Sequence, residues 1–241
     1  TLFPYTTLFR SELLHTPHPI LSDGAMGTLL HQRGVNFEQC FDLLNLDNPA
    51  MVAAIHREYI EAGSQMIQTN TFGANRFKLA QHGLENRTAE INAAAVELAR
   101  RVILASFKEI LIVGDVGPLG VRLAPFGRVQ PEQARQAFSE QIGALAEAGV
   151  DLLIIETMTD LYEVKEAVAA ARQVAPQLPI IASMTLPGMT APCWGIARPR
   201  WHGFCSKSGR RSSGSIVPAG PARFYRFCGR CARRFRRWAI R

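Results

Sequence analysis

The sequence lacks the patterns that would place the chain in a membrane or outside the cell. No run within the 241 residues is long and apolar enough to span a bilayer, and the N-terminus has no unbroken apolar core of a signal peptide. Cysteine is scarce, with five residues and no secretion signal, so a disulfide framework is not indicated. These absences favour a globular cytoplasmic protein without a membrane partner.

Acidic residues are missing from one end of the chain. All 20 Asp and Glu lie in residues 1–186, which carry a formal charge of −6, whereas residues 187–241 carry +13. That last segment also holds all three tryptophans and four of the five cysteines. Such a break in composition marks a boundary. We therefore divide the chain into an N-terminal extension that is non-native or disordered (1–18), a body (19–186) and a basic, disordered tail (187–241).

Within the body, short apolar runs alternate with helical patterns. The predicted strands are nearly continuous runs of Ile, Leu and Val, as in parallel strands buried on both faces: 20–24, 66–72, 110–116, 151–158 and 179–186. The predicted amphipathic helices cover 49–62, 88–106, 131–148 and 160–174. Pro49 and Pro131 stand at first helical turns, and Gly63 and Gly149 stand where helices should stop.

One pattern occurs twice along the body. The stretches "EAGSQMIQTNTF" (61–72) and "EAGVDLLIIETM" (147–158) each contain a helix end, a glycine, an apolar strand and a polar strand tip. Repeated helix-to-strand units make a β/α barrel or a doubly wound sheet. Polar residues stand at five strand ends, where barrel enzymes carry their chemistry: Asp23, Asn70, Asp115, Glu156 and Thr185. We predict an α/β fold, a (β/α)8 TIM barrel with about the first five β/α units present.

The stretch "SDGAMGT" (22–28) has the composition of a binding loop. Asp23 ends a strand, and the glycines that follow let the backbone turn sharply into a helix. The free N–H groups from Gly24 and Ala25 onward can receive an anion such as a carboxylate, while Asp23 can pair with an ammonium group. An α-amino acid carries both groups, so we predict Asp23, Gly24 and Ala25 as substrate-binding residues.

Two further strand tips carry candidate substrate contacts. Glu156 ends the apolar run "LLII", where burying a carboxylate costs several kcal/mol unless it meets a cation or donors. A structural glutamate paired with a neighbouring strand or arginine is the alternative. Asn70, Thr71 and Phe72 offer an amide, a hydroxyl and an aromatic wall at the adjacent tip. We predict all four as substrate-binding residues.

Four of these motifs occur in the order seen in one enzyme family. Together, "ILSDGAMGT", "MIQTNTF", "GDVGPLG" and "DLLIIETM" resemble the homocysteine S-methyltransferase family over about residues 19–186. The stretch "GPLGVRLAPFGRV" (117–129) is most similar to the bifunctional members, which are fused to a methylenetetrahydrofolate reductase domain. The resemblance implies methyl transfer to homocysteine in methionine biosynthesis. It leaves the methyl donor open among methylated folates and methylated sulfur or nitrogen compounds.

The resemblance also implies a zinc ion that holds homocysteine as its thiolate. Zinc deprotonates a thiol that is mostly protonated at neutral pH and leaves it nucleophilic. By resemblance, Asp23 and Glu156 hold the substrate's ammonium group, and the loop from Gly24 lies by its carboxylate. The family's zinc cysteines stand in one "NC" and one "CC" pair, and this sequence contains neither. We therefore assign no catalytic and no metal-binding residue, and expect the chain to be inactive as it stands.

The tail has three competing explanations. It is a basic arm that binds nucleic acid, a zinc module using Cys228 and Cys231 with Cys193 and Cys205, or an out-of-frame translation. When the tail is read one nucleotide out of step, permitted codons give a helix, a glycine stop, an apolar strand and an Asn-Cys tip. We favour the frameshift after about residue 186 over a nucleic-acid partner.

The N-terminal stretch "TLFPYTTLFRS" (1–11) has no helix or strand pattern and resembles translated sequencing adaptors. Together with a first residue other than Met, it favours a fragment. The remaining alternative for the body is another β/α-barrel enzyme that acts on an amino or keto acid through Asp23 and Glu156.

Overall fold

The computed structural model describes residues 20–186 and two further strands at 212–218 and 225–227. The helices are α1 (Met26–Gln32), α2 (Leu44–Asp47), α3 (Pro49–Glu61), α4 (Arg76–Ala80), α5 (Thr88–Ser106), α6 (Pro131–Ala148) and α7 (Leu161–Val174), with a 3-10 turn at Glu85–Arg87. The strands are β1 (Met66–Gln68), β2 (Leu111–Val116), β3 (Leu152–Met158), β4 (Ile180–Leu186), β5 (Ser212–Pro218) and β6 (Tyr225–Phe227).

These strands form one sheet in which the spatial order follows the sequence order. The first five pair in parallel, and β6 runs antiparallel to β5. The crossovers from β1 to β4 contain helices α5, α6 and α7, which pack against one another in turn. Parallel neighbours joined through helices are the β/α architecture that the sequence predicts.

Local capping signals set the ends of the long helices. The Asn48 side chain accepts a hydrogen bond from Met51 N (3.3 Å) before Pro49, and Gln130 forms a capping box with Gln133 before Pro131. Gly149 takes φ +90° after α6, a conformation that favours glycine. The predicted helix starts and stops are confirmed there. Within the described residues, no helix is both long and apolar enough to cross a membrane.

Strands β1 to β4 are buried on both faces, as expected of parallel strands. On the face toward the helices, Ile112, Val116 and Ile155 pack into the large cluster that includes Phe138 and Leu145. On the opposite face, here called the inner face, a smaller cluster is formed by Met66, Leu111, Val113 and Leu152, with Ile20, Ile154 and Ile181 beside it. Side chains along β2 and β3 alternate between these two clusters.

Two predicted strands are shorter in the structure. The segment 20–24 pairs with β1 only through a bridge between Ser22 and Met66. The prediction of a strand over 66–72 is wrong after Gln68, because the chain turns there: Thr71 N donates to Thr69 O (2.9 Å), and the two threonine hydroxyls bond each other (2.7 Å). The polar strand tip is therefore a loop.

Strands β5 and β6 lie in the segment 187–241, for which the composition predicts disorder, and that division of the chain stays a prediction. β5 continues the parallel register of β4, from Ile180 opposite Ser212 to Leu186 opposite Pro218. The predicted extension 1–18 and the rest of the segment 187–241 lie outside the described residues.

Candidate functional site

Carboxyl groups meet at the inner face where the parallel strands end. Alternation along β2 places Asp115 on the same face as Leu111 and Val113. The same alternation along β3 places Glu156 after Leu152 and Ile154. Asp23 ends the segment that pairs with β1. We call Asp23, Asp115 and Glu156 the tip carboxyls.

Asp23 is held by the neighbouring strand. Gln68 donates to its carboxylate twice, from the backbone N to Oδ2 (2.9 Å) and from Nε2 to Oδ1 (3.1 Å). The Ser22 hydroxyl adds a third hydrogen bond to Oδ1 (3.2 Å). Burial nevertheless raises the pKa of Asp23 to about 6, with these hydrogen bonds opposing the rise. Asp23 is thus fixed in place, and its carboxyl group has a raised pKa.

The negative charges of the tip carboxyls raise the pKa values of neighbouring tip carboxyls. Burial, and then the charge of Asp23, raise the pKa of Glu156. Burial raises the pKa of Asp115 well above its ordinary value, and the charges of Glu156, Asp42 and Asp23 raise it further. Among the described residues, none of the ion pairs involves a tip carboxyl. The site therefore has negative charge that a cationic ligand could neutralise.

The backbone beside Glu156 is strained. Thr157 has φ +56°, and the register between β3 and β4 shifts between Ile155 and Met158. A β-branched residue in the left-handed region costs about 1–2 kcal/mol, and a bulge re-aims the side chains around it. Such strain is concentrated at functional positions. No sequence pattern indicates this feature, because threonine is an ordinary strand residue.

Asn70 and Thr71 are engaged within the protein. The amide of Asn70 donates from Nδ2 to Phe41 O (2.7 Å), and the Thr71 hydroxyl donates to Asp115 O (2.7 Å). Asn70 is 6% exposed and Thr71 is fully buried. These bonds fasten the loop after β1 to the segment around Phe41 and to β2. The substrate contacts expected of Asn70 and Thr71 stay predictions.

Phe72 projects from that loop and is partly exposed. The ammonium of Lys78 lies over its ring, with Nζ 4.2 Å from the centroid, a cation–π contact. A Cβ atom on Gly117 would overlap the Phe72 carbonyl oxygen, so the loops after β1 and β2 touch there. Phe72, the predicted aromatic wall, is thus in contact with Lys78 and Gly117.

Two carboxylates that the sequence analysis missed hold the loops at the strand ends. Asp42 accepts a hydrogen bond from Gly73 N (2.9 Å), and Glu163 accepts one from Leu119 N (2.7 Å). Burial raises the pKa of Asp42 to about 6 and also raises that of Glu163, while the charge of Lys78 opposes both shifts. In the sequence, Asp42 stands among apolar residues, in "FDLL" (41–44), and this context is what could have indicated a buried carboxylate.

Gly24 and Ala25 follow Asp23 and are exposed. A Cβ atom on Gly24 would lie 2.8 Å from the Tyr59 hydroxyl oxygen, so Tyr59, from α3, covers this turn. Burial and the charge of Asp23 raise the pKa of Tyr59. The structure thus brings Asp23, Gly24 and Ala25 to one surface, with Tyr59 as a neighbour that the sequence did not indicate.

The described part of the chain does not fit a metal ion. Within residues 20–186, no group of three or more His, Cys, Asp and Glu side chains is arranged to hold one. Cys40 is the free cysteine of this range, and its Sγ lies 4.0 Å from Asp42 Oδ2. The other four cysteines lie outside the described residues.

Curated relatives share the body of the chain. Methionine synthase of Mycobacterium leprae is 28% identical over 193 residues, which cover 74% of this chain and 16% of that protein. Methionine synthase of Mycobacterium tuberculosis is 29% identical over 194 residues, with the same coverage. The chain thus spans 16% of the length of these relatives.

Solved structures share the fold. The metallated form of the homocysteine methyltransferase MmuM from Escherichia coli matches with a TM-score of 0.66 at 22% identity, over 87% of this chain and 86% of that one. Its apo form matches with a TM-score of 0.64 at 24% identity, over 85% of this chain and 73% of that one. These likenesses confirm the predicted α/β barrel fold, of which the described residues form a part.

A family model matches most of the chain directly. The model described as homocysteine S-methyltransferase covers residues 20–194, which include all three tip carboxyls. The resemblance drawn from the sequence motifs is confirmed, and this chain belongs to the homocysteine S-methyltransferase family.

Proposed function

We propose that this chain provides the substrate-binding part of an enzyme that transfers a methyl group to homocysteine and so forms methionine. The observation that carries the proposal is the pair Asp23 and Glu156 at the carboxyl ends of their strand segments, both with raised pKa values and without a cationic partner among the described residues. An amino acid's ammonium group is the cation that such a pair would accept. Its arrival would favour the ionised carboxylates.

The rest of the amino-acid head group has neighbours of suitable chemistry. Gly24 and Ala25 are exposed beside Asp23, and their N–H groups are the proposed partners of the substrate carboxylate. Phe72 is the proposed apolar wall, with Asn70 and Thr71 holding its loop. In this arrangement Asp23 and Glu156 bind and orient the substrate and do not take part in bond breaking.

Zinc is the cofactor that the family resemblance implies, and the residues that the structure describes do not fit it. The sequence has neither an "NC" nor a "CC" pair, and the described residues contain no group that could hold a metal. We infer that this polypeptide binds homocysteine without transferring a methyl group. The methyl donor and a fused reductase domain in the full-length protein stay proposals from the sequence resemblance.

Substitution of Glu156 tests the binding proposal. Glu156→Gln is expected to weaken binding of L-homocysteine at pH 7.5 by about tenfold or more, because a hydrogen bond to a charged group contributes roughly 1.5–3 kcal/mol. Isothermal titration calorimetry on the full chain measures the change. Glu147→Gln, on the exposed face of α6, is the matched control and should bind like the unmutated chain.

Equal affinities of the two variants would contradict the assignment of Glu156. The same titration with L-homoserine, L-alanine and a 2-keto acid addresses the alternative barrel enzyme. Homocysteine bound no better than a keto acid would favour that alternative, since a keto acid has no ammonium group for Asp23 and Glu156.

The expected lack of methyl transfer is tested on the purified chain. After incubation with zinc, homocysteine and either a methylated folate or S-methylmethionine, we expect no methionine by mass spectrometry and no stoichiometric zinc by elemental analysis. Stoichiometric zinc together with methionine formation would overturn this expectation.

A further inference from the structure

Asp115 is the most enclosed of the tip carboxyls and has a fixed backbone. Its N–H donates to Thr69 Oγ1 (3.1 Å), and its carbonyl oxygen accepts from Thr71 Oγ1 (2.7 Å) and, at 3.5 Å, from Gln141 Nε2. The residue is 6% exposed. Its side-chain oxygen Oδ1 is buried and has no hydrogen-bond partner among the described residues. The strand therefore fixes this carboxyl group without giving Oδ1 a donor.

The groups that face Asp115 are mostly acidic. Glu156 faces it from β3, Asp23 from the segment before α1, and Asp42 from the segment before α2. Lys78, from α4, is the cation among these neighbours. The Lys78 ammonium lies over the Phe72 ring and forms no salt bridge in the described part of the chain. Asp115 thus has three carboxyl groups and one cation among its charged neighbours.

Simultaneous ionisation of these carboxyl groups is disfavoured. Burial and the charges of Glu156, Asp42 and Asp23 raise the pKa of Asp115 well above its ordinary value. Interacting carboxyls of this kind share protons, and the most enclosed member retains its proton longest. A cation that binds beside these carboxyl groups lowers their pKa values, because it favours the ionised form of each.

The geometry indicates an ammonium group as this cation. The described residues contain no group of three or more His, Cys, Asp and Glu side chains arranged to hold a metal ion. An ammonium group binds through its three N–H donors. Unlike a metal ion, it does not require several ligand atoms within coordination distance of a single ion. Three carboxyls at strand ends on one face of the sheet match that requirement.

We propose that Asp115 is a further substrate-binding residue, which couples capture of an ammonium group to the release of one proton. The O–H bond of the protonated carboxyl breaks, its proton passes to the solvent buffer, and the resulting carboxylate stabilises the bound ammonium together with Glu156. No electrons are transferred. The proposal rests on the proposed function, because its ligand is the same amino-acid head group.

The first test needs no ligand. Carbon-13 NMR of the side-chain carboxyls in the unliganded full chain follows each group through a pH titration. Two aspartate resonances, those of Asp23 and Asp42, are expected to titrate near 6. We expect a further aspartate resonance to titrate with a midpoint well above that of an ordinary aspartate, and to disappear in Asp115→Asn. An ordinary midpoint for Asp115 would overturn the proposal. The titration of the unmutated chain shows whether the pKa of Asp115 is raised, even if Asp115→Asn fails to fold.

The second test measures the coupling. L-Homocysteine is titrated calorimetrically at pH 7 in phosphate and in Tris, whose ionisation enthalpies differ. We expect a buffer-dependent heat that corresponds to release of about half a proton or more, and an affinity that rises with pH. Asp115→Asn is expected to bind about tenfold more weakly and to lose this buffer dependence. Asp47→Asn, at an exposed position, is the matched control.

The outcomes separate this proposal from the proposed function. Homocysteine binding with the same heat in both buffers would overturn the coupling and leave the proposed function intact. If homocysteine does not bind but methylammonium binds with proton release, the proposed function fails and the coupling stands. If neither ligand binds, both fail.

Discussion

Gly117→Ala is expected to lower the free energy of unfolding by about 2–3 kcal/mol and to displace Phe72. A Cβ atom at this position would overlap the Phe72 carbonyl oxygen and lie 2.6 Å from its ring carbon Cδ2. The Phe72 backbone cannot withdraw freely, because Thr71 before it is bonded to Asp115, and Gly73 after it is bonded to Asp42. Overpacking against a fixed backbone carries a cost of this size.

A second glycine provides the matched control. Gly143 lies inside α6, and a Cβ atom there would meet nothing within 4 Å. Gly143→Ala is therefore expected to stabilise the chain by about 1 kcal/mol, the difference in helix propensity. Urea unfolding followed by circular dichroism measures both variants. If Gly117→Ala also stabilises the chain, the contact between the two loops is not as tight as described.

Displacement of Phe72 has a separate readout. Because Phe72 is the proposed wall of the site, we expect Gly117→Ala to weaken homocysteine binding, and Gly143→Ala to leave it unchanged. A destabilised Gly117→Ala with unaltered affinity would remove Phe72 from the proposed site.

The elements that could be predicted are those whose signals are local. Pro131 and Gly149 bound α6 because a proline fits the first turn and a glycine fits the left-handed conformation after the last. The run 152–155 is apolar because β3 is covered on both faces. Such signals need no knowledge of distant residues, and the strand ends at Asp23 and Glu156 follow from them.

What could not be predicted depends on residues far apart in the sequence. The Asn70 amide is polar and follows a strand, as a substrate ligand would, yet it bonds a carbonyl 29 residues earlier. In the sequence, Lys78 is an ordinary basic residue of a short helix. Its proximity to Asp42 and Asp115 arises only in the folded chain. The same limit applies to Gly117, whose neighbour is Phe72. Local pattern identifies the strand tip but not which of its side chains are already engaged.

His56 is a buried titratable group outside the site. It lies in α3 and is 1% exposed, and neither ring nitrogen has a hydrogen-bond partner among the described residues. Burial lowers its pKa from 6.5 to about 4. A neutral imidazole is tolerated in this environment, whereas a protonated one would be a buried charge without a partner.

This shift gives the stability a defined dependence on pH. The folded chain holds His56 neutral down to about pH 4, while the unfolded chain protonates it below about 6.5. Its contribution to stability is therefore fully present above pH 6.5 and is lost as the pH falls toward 4. The raised pKa values of Asp23 and Asp42 act in the opposite sense, since they favour the folded state as the pH falls from about 6.

Substitution isolates the histidine from these carboxyls. His56→Leu is expected to raise the free energy of unfolding by about 1 kcal/mol at pH 7.5, because it removes two unpartnered polar atoms. At pH 4.5 the gain should widen by about 2.5 kcal/mol, since the unfolded state of the variant no longer takes up that proton. The terms from Asp23 and Asp42 cancel when variant and unmutated chain are compared at one pH.

Urea unfolding at pH 7.5, 6.0 and 4.5 measures the difference. His82→Leu is the control, because His82 is exposed and a surface substitution changes stability by less than about 0.5 kcal/mol. A gain from His56→Leu that stays constant between pH 7.5 and 4.5 would show that His56 is protonated in the folded state or has a partner there. A gain that widens toward acid pH, with none for His82→Leu, would show that the folded chain resists protonation of this one buried ring.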